Sequence, residues 1–192
     1  MSTETTPRIT PISPPYEPVL ETELNRWMPP GAALEPLKLF RTLFQNRDLA
    51  EAMLPLGSLL LSKRAGITTH EREVVIDRVC ARCGCEYEWG VHAAAFGDRA
   101  GLVEDQIRAT VLGGVADPAW SVKEALLVSM VDELHDGASI SDELWGRLAK
   151  EWSAPQLLVL LVLAGWYHVI AYTANGARVA LEDWALRFPL RE

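Results

Sequence analysis

The sequence predicts an all-α protein. Apolar residues recur at three- and four-residue spacing along most of the chain, helix-capping motifs head successive segments, and no stretch alternates apolar and polar residues at period two. A chain of 192 residues is long enough for one domain with a sizeable core. Its hydrophobic fraction of 49% and charged fraction of 23% are ordinary for a soluble globular protein.

Residues 1–30 read as an arm: MSTETTPRITPISPPYEP holds Pro7, Pro11, Pro14, Pro15 and Pro18, carries an early Glu4 and lacks the apolar run of a secretory signal. Such an arm is expected to be either disordered or laid across a neighbouring subunit. Residues 31–192 read as one helical domain. EPLKLFRTLF and DLAEAMLPLGSLLL show helical spacing, and Thr68-x-x-Glu71 is a capping box that opens a helix from about His70 to Arg82. Gly84 interrupts, and a second helix from about Glu86 to Asp98 is closed by Gly97 and Gly101. Asp117-Pro118 precedes a helix over about 121–134, Ser141 caps one reaching about Trp152, and Ser153 caps a long apolar one.

From Trp152 to Ala177 there is no Asp, Glu, Lys or Arg, a run long enough to span a membrane. Pro155, Gln156, His168 and Asn175-Gly176 interrupt it, and no basic cluster flanks it to set an orientation. The expectation is a central buried helix, with no membrane partner. A helix apolar all round needs cover that one short chain hardly supplies, so a homo-oligomer is expected.

Charge and cysteine usage exclude further classes. The net charge of −8 disfavours a nucleic-acid partner, which needs a basic surface. Three cysteines within residues 80–85 make no disulfide framework and fit a reducing cytoplasm. A metal centre built from Cys80, Cys83, Cys85 and His92 has unsuitable spacing across the Gly84 break, and no stoichiometric zinc or iron is expected in the protein.

Projected at 100° per residue, Cys85, Glu88, Trp89, His92 and Phe96 fall on one arc of the second helix. A carboxyl and an imidazole thus share a core-facing aromatic stripe, which is costly unless they are paired or used. On the preceding helix Val75, Ile76, Val79, Cys80 and Cys83 form an apolar arc, with Arg72 projecting into it and Glu73 at its edge. Two helices joined at Gly84 bring Glu73, Arg72, Glu88 and His92 around one cleft.

Glu73, eleven residues, Cys85, two residues, Glu88, three residues, His92: this spacing resembles the carboxymuconolactone decarboxylase and alkylhydroperoxidase-D superfamily over about residues 35–185. In the family signature, glutamate is followed after eleven residues by Cys-x-x-Cys and, three residues later, by histidine. Glu88 occupies the second cysteine's place, so the disulfide that family hydroperoxidases form cannot close here, and Cys80-x-x-Cys83 lies out of frame. The resemblance implies an obligate oligomer, commonly a trimer or hexamer, and cofactor-free decarboxylation or isomerisation of a small lactone or carboxylic acid. On this reading His92 is the candidate base, Glu88 the acid or second base, and Glu73 orients His92. Apolar surroundings are expected to raise the Glu88 pKa and lower that of His92. Arg72 holds a substrate carboxylate or, preferably, pairs with Glu73. Trp89 and Tyr167 are further candidates for substrate contact, while Tyr167, His168 and Asn175 equally suit core hydrogen bonding. His70 and His135 carry no signal. Two rivals stay open: a thiol peroxidase working through Cys85, whose place at a helix N-terminus can lower a thiol pKa, and a helical oligomer that binds a small ligand without turning it over.

Overall fold

The computed structural model describes residues 6–29 and 34–190. The expected boundary between arm and domain, at residues 30 and 31, falls outside them, as do residues 1–5, including Glu4, and residues 191–192. Among the described residues there are nine α-helices and no strand: α1 (Pro18–Asn25), α2 (Lys38–Leu43), α3 (Arg47–Leu60), α4 (Thr69–Arg82), α5 (Glu86–Ala100), α6 (Glu104–Leu112), α7 (Val122–Gly137), α8 (Asp142–Glu151) and α9 (Ala154–Ala177). The expected all-α class holds.

The capping chemistry read from the sequence sets the helix starts. Thr68 Oγ1 accepts from Glu71 N at 3.1 Å while Glu71 Oε2 accepts from Thr68 N at 2.8 Å, closing the capping box of α4. Ser121 and Glu124 make the same exchange at α7, so Ser121, rather than Asp117, is the cap there. Ser141 caps α8, and Gln156 Oε1 accepts from Ser153 N at the head of α9. Gly84 and Gly101 take left-handed backbone at φ +59° and +72°, the first turning the chain between α4 and α5, the second ending α5.

The centre of the molecule is α4, not α9. Every residue from Glu71 to Cys80 is buried, and α4 packs against α5, α6, α7 and α9. Charge enters this core because nearly all of it is paired. Arg78 donates from Nε and Nη2 to the two carboxylate oxygens of Asp132, both at 2.8 Å, and from Nη1 to the Thr110 and Gly113 carbonyls. Glu71 accepts from Trp152 Nε1 and lies 2.8 Å from Lys123 Nζ.

The sequence predicts that α9 needs more cover than its own chain supplies, and within the chain one side of it is left uncovered. It is long and apolar enough to cross a membrane, but only one side packs inside the chain, through Leu157, Leu160, Leu163, Ala164, Tyr167, Ile170 and Ala171. Leu158, Val162, Gly165, Val169 and Tyr172 face outward, with Leu158 63% and Tyr172 67% exposed. The apolar run signals burial without saying which faces their own chain covers.

The N-terminal arm differs from expectation too. Residues 18–25 are helical, since Pro18 at the first turn suits a helix start. The arm lies along its own chain: Arg8 N donates to the Ala177 carbonyl, Ile12 N to that of Arg41, and Gln45 Nε2 to that of Thr10. At the other end, residues 181–188 strap across the N-terminal half of α5. Glu182 Oε1 accepts from Tyr87 Oη at 2.7 Å and from Lys38 N at 2.6 Å, and Leu186 N donates to the Gly90 carbonyl. The strap runs so close that a Cβ on Gly90 would stand 2.2 Å from Leu186 O.

Candidate active site

The two helices joined at Gly84 do converge. From α4, Glu73 is wholly buried, and its carboxylate is shared. Oε1 accepts from Arg72 Nε at 2.7 Å, with Arg72 Nη2 at the same distance, and Oε2 lies 2.7 Å from His92 Nδ1. From α5, His92 turns its other nitrogen, Nε2, toward Tyr167 Oη of α9 at 3.0 Å and Glu88 Oε1 at 3.5 Å. Phe96 and Tyr167 pack on the imidazole, each with ring centroids 5.1 Å away. The result is a relay, Arg72–Glu73–His92, ending at a nitrogen flanked by a phenol and a carboxyl. Glu88 Oε2 is buried with no hydrogen-bond partner, which leaves it free to engage a ligand.

That end of the relay opens into a cavity of about 450 Å³, within the range for a small molecule. Trp27, Phe40, Phe96, Trp166 and Trp184 supply its apolar walls, and Glu88, His92 and Tyr167 stand among them. Of the α5 residues, Glu88, Val91, His92, Ala95 and Phe96 face it.

Electrostatics reverse one expectation. Burial does push the His92 pKa down, as the sequence suggested. The Glu73 carboxylate at 2.7 Å and Glu88 nearby outweigh it, so that His92 is raised to about 10. Burial likewise pushes Glu73 up, and His92 and Arg72 more than offset it, leaving its pKa below the ordinary value. The pair therefore rests as imidazolium and carboxylate. The sequence brings Glu73 and His92 to one cleft, and the 2.7 Å between them, which decides the sign of the shift, is set by packing.

Two proposed contacts lie elsewhere. Arg72 is absent from the cavity lining: its Nε and Nη2 face Glu73 and Nη1 donates to the Leu61 carbonyl at 2.7 Å. The pairing alternative is the one realised. Trp89, at the edge of the helical arc, turns away to donate from Nε1 to Thr110 Oγ1 at 2.9 Å and to pack on Phe188. Tyr167 does reach the site.

Cys85 sits at the N-cap of α5 but is fully buried and outside the cavity lining. Burial pushes its thiol up to about 12, against the backbone amides of Glu88 and Tyr87 that favour the thiolate. The expected lowering by the helix end is overruled by desolvation. Cys80 is also fully buried and raised by burial, and all three cysteines are free thiols. Cys83 is half-buried and faces His135 rather than Cys80, Cys85 or His92.

Sequence reasoning missed Asp77, one turn beyond Glu73. It is wholly buried, neither carboxyl oxygen has a partner, and burial, then the Glu73 charge, raises its pKa well above the usual range. Its neutral form is favoured by burial behind the relay. The available signal was a lone acid inside the apolar run VVIDRV, at i+4 from Glu73.

Residues 47–128 match the model of the carboxymuconolactone decarboxylase family. The span covers Glu73, Cys85, Glu88 and His92, so the resemblance read from the sequence is shown there; Tyr167 lies beyond it. No curated protein sequence matches the chain. Among solved structures, a similar one is the crystal structure of the debrominase Bmp8, in a cysteine-to-alanine variant in complex with 2,3,4-tribromopyrrole. It covers 92% of each chain at 15% identity with a TM-score of 0.70. At that identity the likeness establishes the fold.

Proposed function

We propose that the protein is a carboxymuconolactone decarboxylase-like enzyme that performs cofactor-free proton transfer at carbon, decarboxylating or isomerising a small carboxylic acid or lactone. The observation that carries this reading is the buried Glu73–His92 pair, whose outer nitrogen meets Glu88 and Tyr167 at the wall of an apolar cavity. An acid and a base held apart by their surroundings are what such chemistry requires.

The roles follow from the protonation state. His92, held as an imidazolium by Glu73, donates from Nε2 and stabilises the negative oxygen of a developing enolate, with Tyr167 Oη as a second donor. Glu88 takes a proton from one substrate carbon and returns it to another in isomerisation; in decarboxylation it takes the proton of the substrate carboxyl and delivers it to the carbon that carbon dioxide leaves. Glu73 and Arg72 fix the imidazole without touching substrate. The aromatic walls favour an unsaturated or cyclic substrate and exclude water, which strengthens the charge interactions.

A thiol peroxidase is the weaker reading, because the Cys85 thiol is buried, outside the cavity and held protonated. The outward stripe of α9, spaced 4-3-4-3 from Leu158 to Tyr172, supports assembly into a homo-oligomer through paired helices.

Turnover of a panel of lactones, β-keto acids and 2,3,4-tribromopyrrole, beside peroxide consumption with a thiol reductant, tests the proposal. Glu88→Gln and His92→Ala are each expected to lower lactone or keto-acid turnover about 10²–10⁴-fold. Turnover that ignores both substitutions overturns it.

A further inference from the structure

We propose that Cys83, His135 and His168 form a binding site for a divalent transition metal of the zinc class, sharing no residue with the Glu73–His92 site. The three residues come from three helices: Cys83 is the C-cap of α4, His135 lies in the last turn of α7, and His168 is midway along α9. Their donor atoms lie within 4.8 Å of one another, the one group of three or more His, Cys, Asp or Glu among the described residues to do so.

The geometry fits a tetrahedral ion. His135 Nδ1 lies 3.1 Å from His168 Nε2 and 3.9 Å from Cys83 Sγ. Ligand bonds of about 2.05 Å to nitrogen and about 2.3 Å to sulfur place two tetrahedral nitrogens about 3.3 Å apart, and nitrogen and sulfur about 3.6 Å apart. Both spacings of His135 need shifts of only a few tenths of an ångström, and Cys83 Sγ, within 4.8 Å of His168 Nε2, closes on it by rotation of the thiol.

The surroundings prepare the ligands as well. His168 Nδ1 lies 2.9 Å from the Ala164 carbonyl one turn earlier, and only a protonated Nδ1 can donate to it. That bond fixes the tautomer and leaves the Nε2 lone pair pointing at His135, the arrangement in which a backbone carbonyl orients a metal-bound imidazole. Asn175 Nδ2 donates to the Cys83 carbonyl at 3.0 Å and steadies the backbone that carries the thiol. Without a cation, His135 Nδ1 donates to His168 Nε2 at 3.1 Å, and the Cys83 thiol stands 3.9 Å from that donor; a cation takes the place of the shared proton. One ion satisfies all three, and the thiol proton passes to solvent on coordination. All three residues are half-buried, so the fourth position is open to water.

No local motif announces this site, since the ligands are spread over 86 residues of chain. The sequence alone predicts no stoichiometric zinc or iron in the protein, with Cys83 weighed only beside its two neighbouring cysteines and His92, and the metal proposed here departs from that expectation. Here Cys83 takes different partners.

The test is a cobalt(II) titration of the purified full-length chain after chelator treatment, followed by displacement with zinc. The expected result is one cobalt per chain, a thiolate-to-cobalt charge-transfer band in the near ultraviolet, and its loss on adding one equivalent of zinc. Cys83→Ser should abolish the band and His168→Ala should weaken binding at least about 10-fold, whereas Cys85→Ser should leave both unchanged. Far-ultraviolet circular dichroism establishes that each variant folds. No band with the unsubstituted chain at excess cobalt overturns the assignment. So does a band that survives Cys83→Ser, or zinc bound equally well by His168→Ala.

Discussion

Replacing Glu73 by Gln preserves shape and removes one buried charge, which lowers stability at neutral pH and flattens its decline toward alkaline pH. The His92 pKa is raised to about 10 in the folded chain from an ordinary 6.5. Because the folded value is the higher one, this pairing contributes in full below about pH 6.5 and is lost as pH rises through about 10. A shift of that size corresponds to a ceiling on the order of 5 kcal/mol, at about 1.4 kcal/mol per pH unit. In Glu73→Gln the burial that lowers His92 faces only Glu88, so most of the alkaline loss disappears. The variant also strands the Arg72 guanidinium, 8% exposed, without its counter-charge. Breaking a buried pair in this way costs about 3–5 kcal/mol at neutral pH. Urea unfolding of both proteins, at one protein concentration and at several pH values from 7 to 10, measures the two effects. The wild type should lose several kcal/mol across that range, while Glu73→Gln starts lower and declines far less. Equal slopes for the two proteins would refute the imidazolium–carboxylate resting state and with it the assignment of His92 as the proton donor.

Three further outcomes are expected. Asp77→Asn should raise stability at pH 7 by about 1–3 kcal/mol, read by urea midpoint, because burial with no partner penalises the carboxyl. Its raised folded pKa means the penalty grows as pH rises above the unfolded 3.8, so the gain should shrink in acid. Cys85→Ser should leave lactone or keto-acid turnover within a few-fold, with peroxide consumption negligible in both proteins under a coupled thiol assay. Leu158→Glu combined with Tyr172→Glu should convert a homo-oligomer to smaller species in light scattering, since both side chains project outward from α9.

Much of the fold was legible in the sequence because it is local. Thr68 and Glu71, Ser141, and Gly101 act within one helical turn, so their spacing suffices to place helix ends. The spacing of Glu73, Glu88 and His92 across one glycine break likewise brought the three together. What was not legible depends on what packs where. Helical phase put Trp89 beside His92, but the cavity lies on the Glu88–Ala95 side and Trp89 meets α6. Composition made α9 the central helix, yet the charged α4 takes that place because Asp132, Lys123 and Trp152 arrive from other parts of the chain to satisfy it. The sign of the His92 shift turned on one distance, 2.7 Å to Glu73, that no pattern encodes. Residues 83, 135 and 168 have no sequence relation at all.

The strap over α5 has a consequence for synthesis. The cavity draws Trp27 from near the start of the chain, His92 from its middle, Tyr167 from the last helix and Trp184 from the strap. Chains grow from the N-terminus, and early helices can pair while later ones are still being made. Here the bundle can gather from α2 through α9 while the cavity still lacks one wall, with Tyr87 and the head of α2 awaiting Glu182. Activity should therefore appear later than helical structure on a nascent chain. An alanine at Gly90, which collides with the Leu186 carbonyl, should trap the protein in that folded but unfinished form.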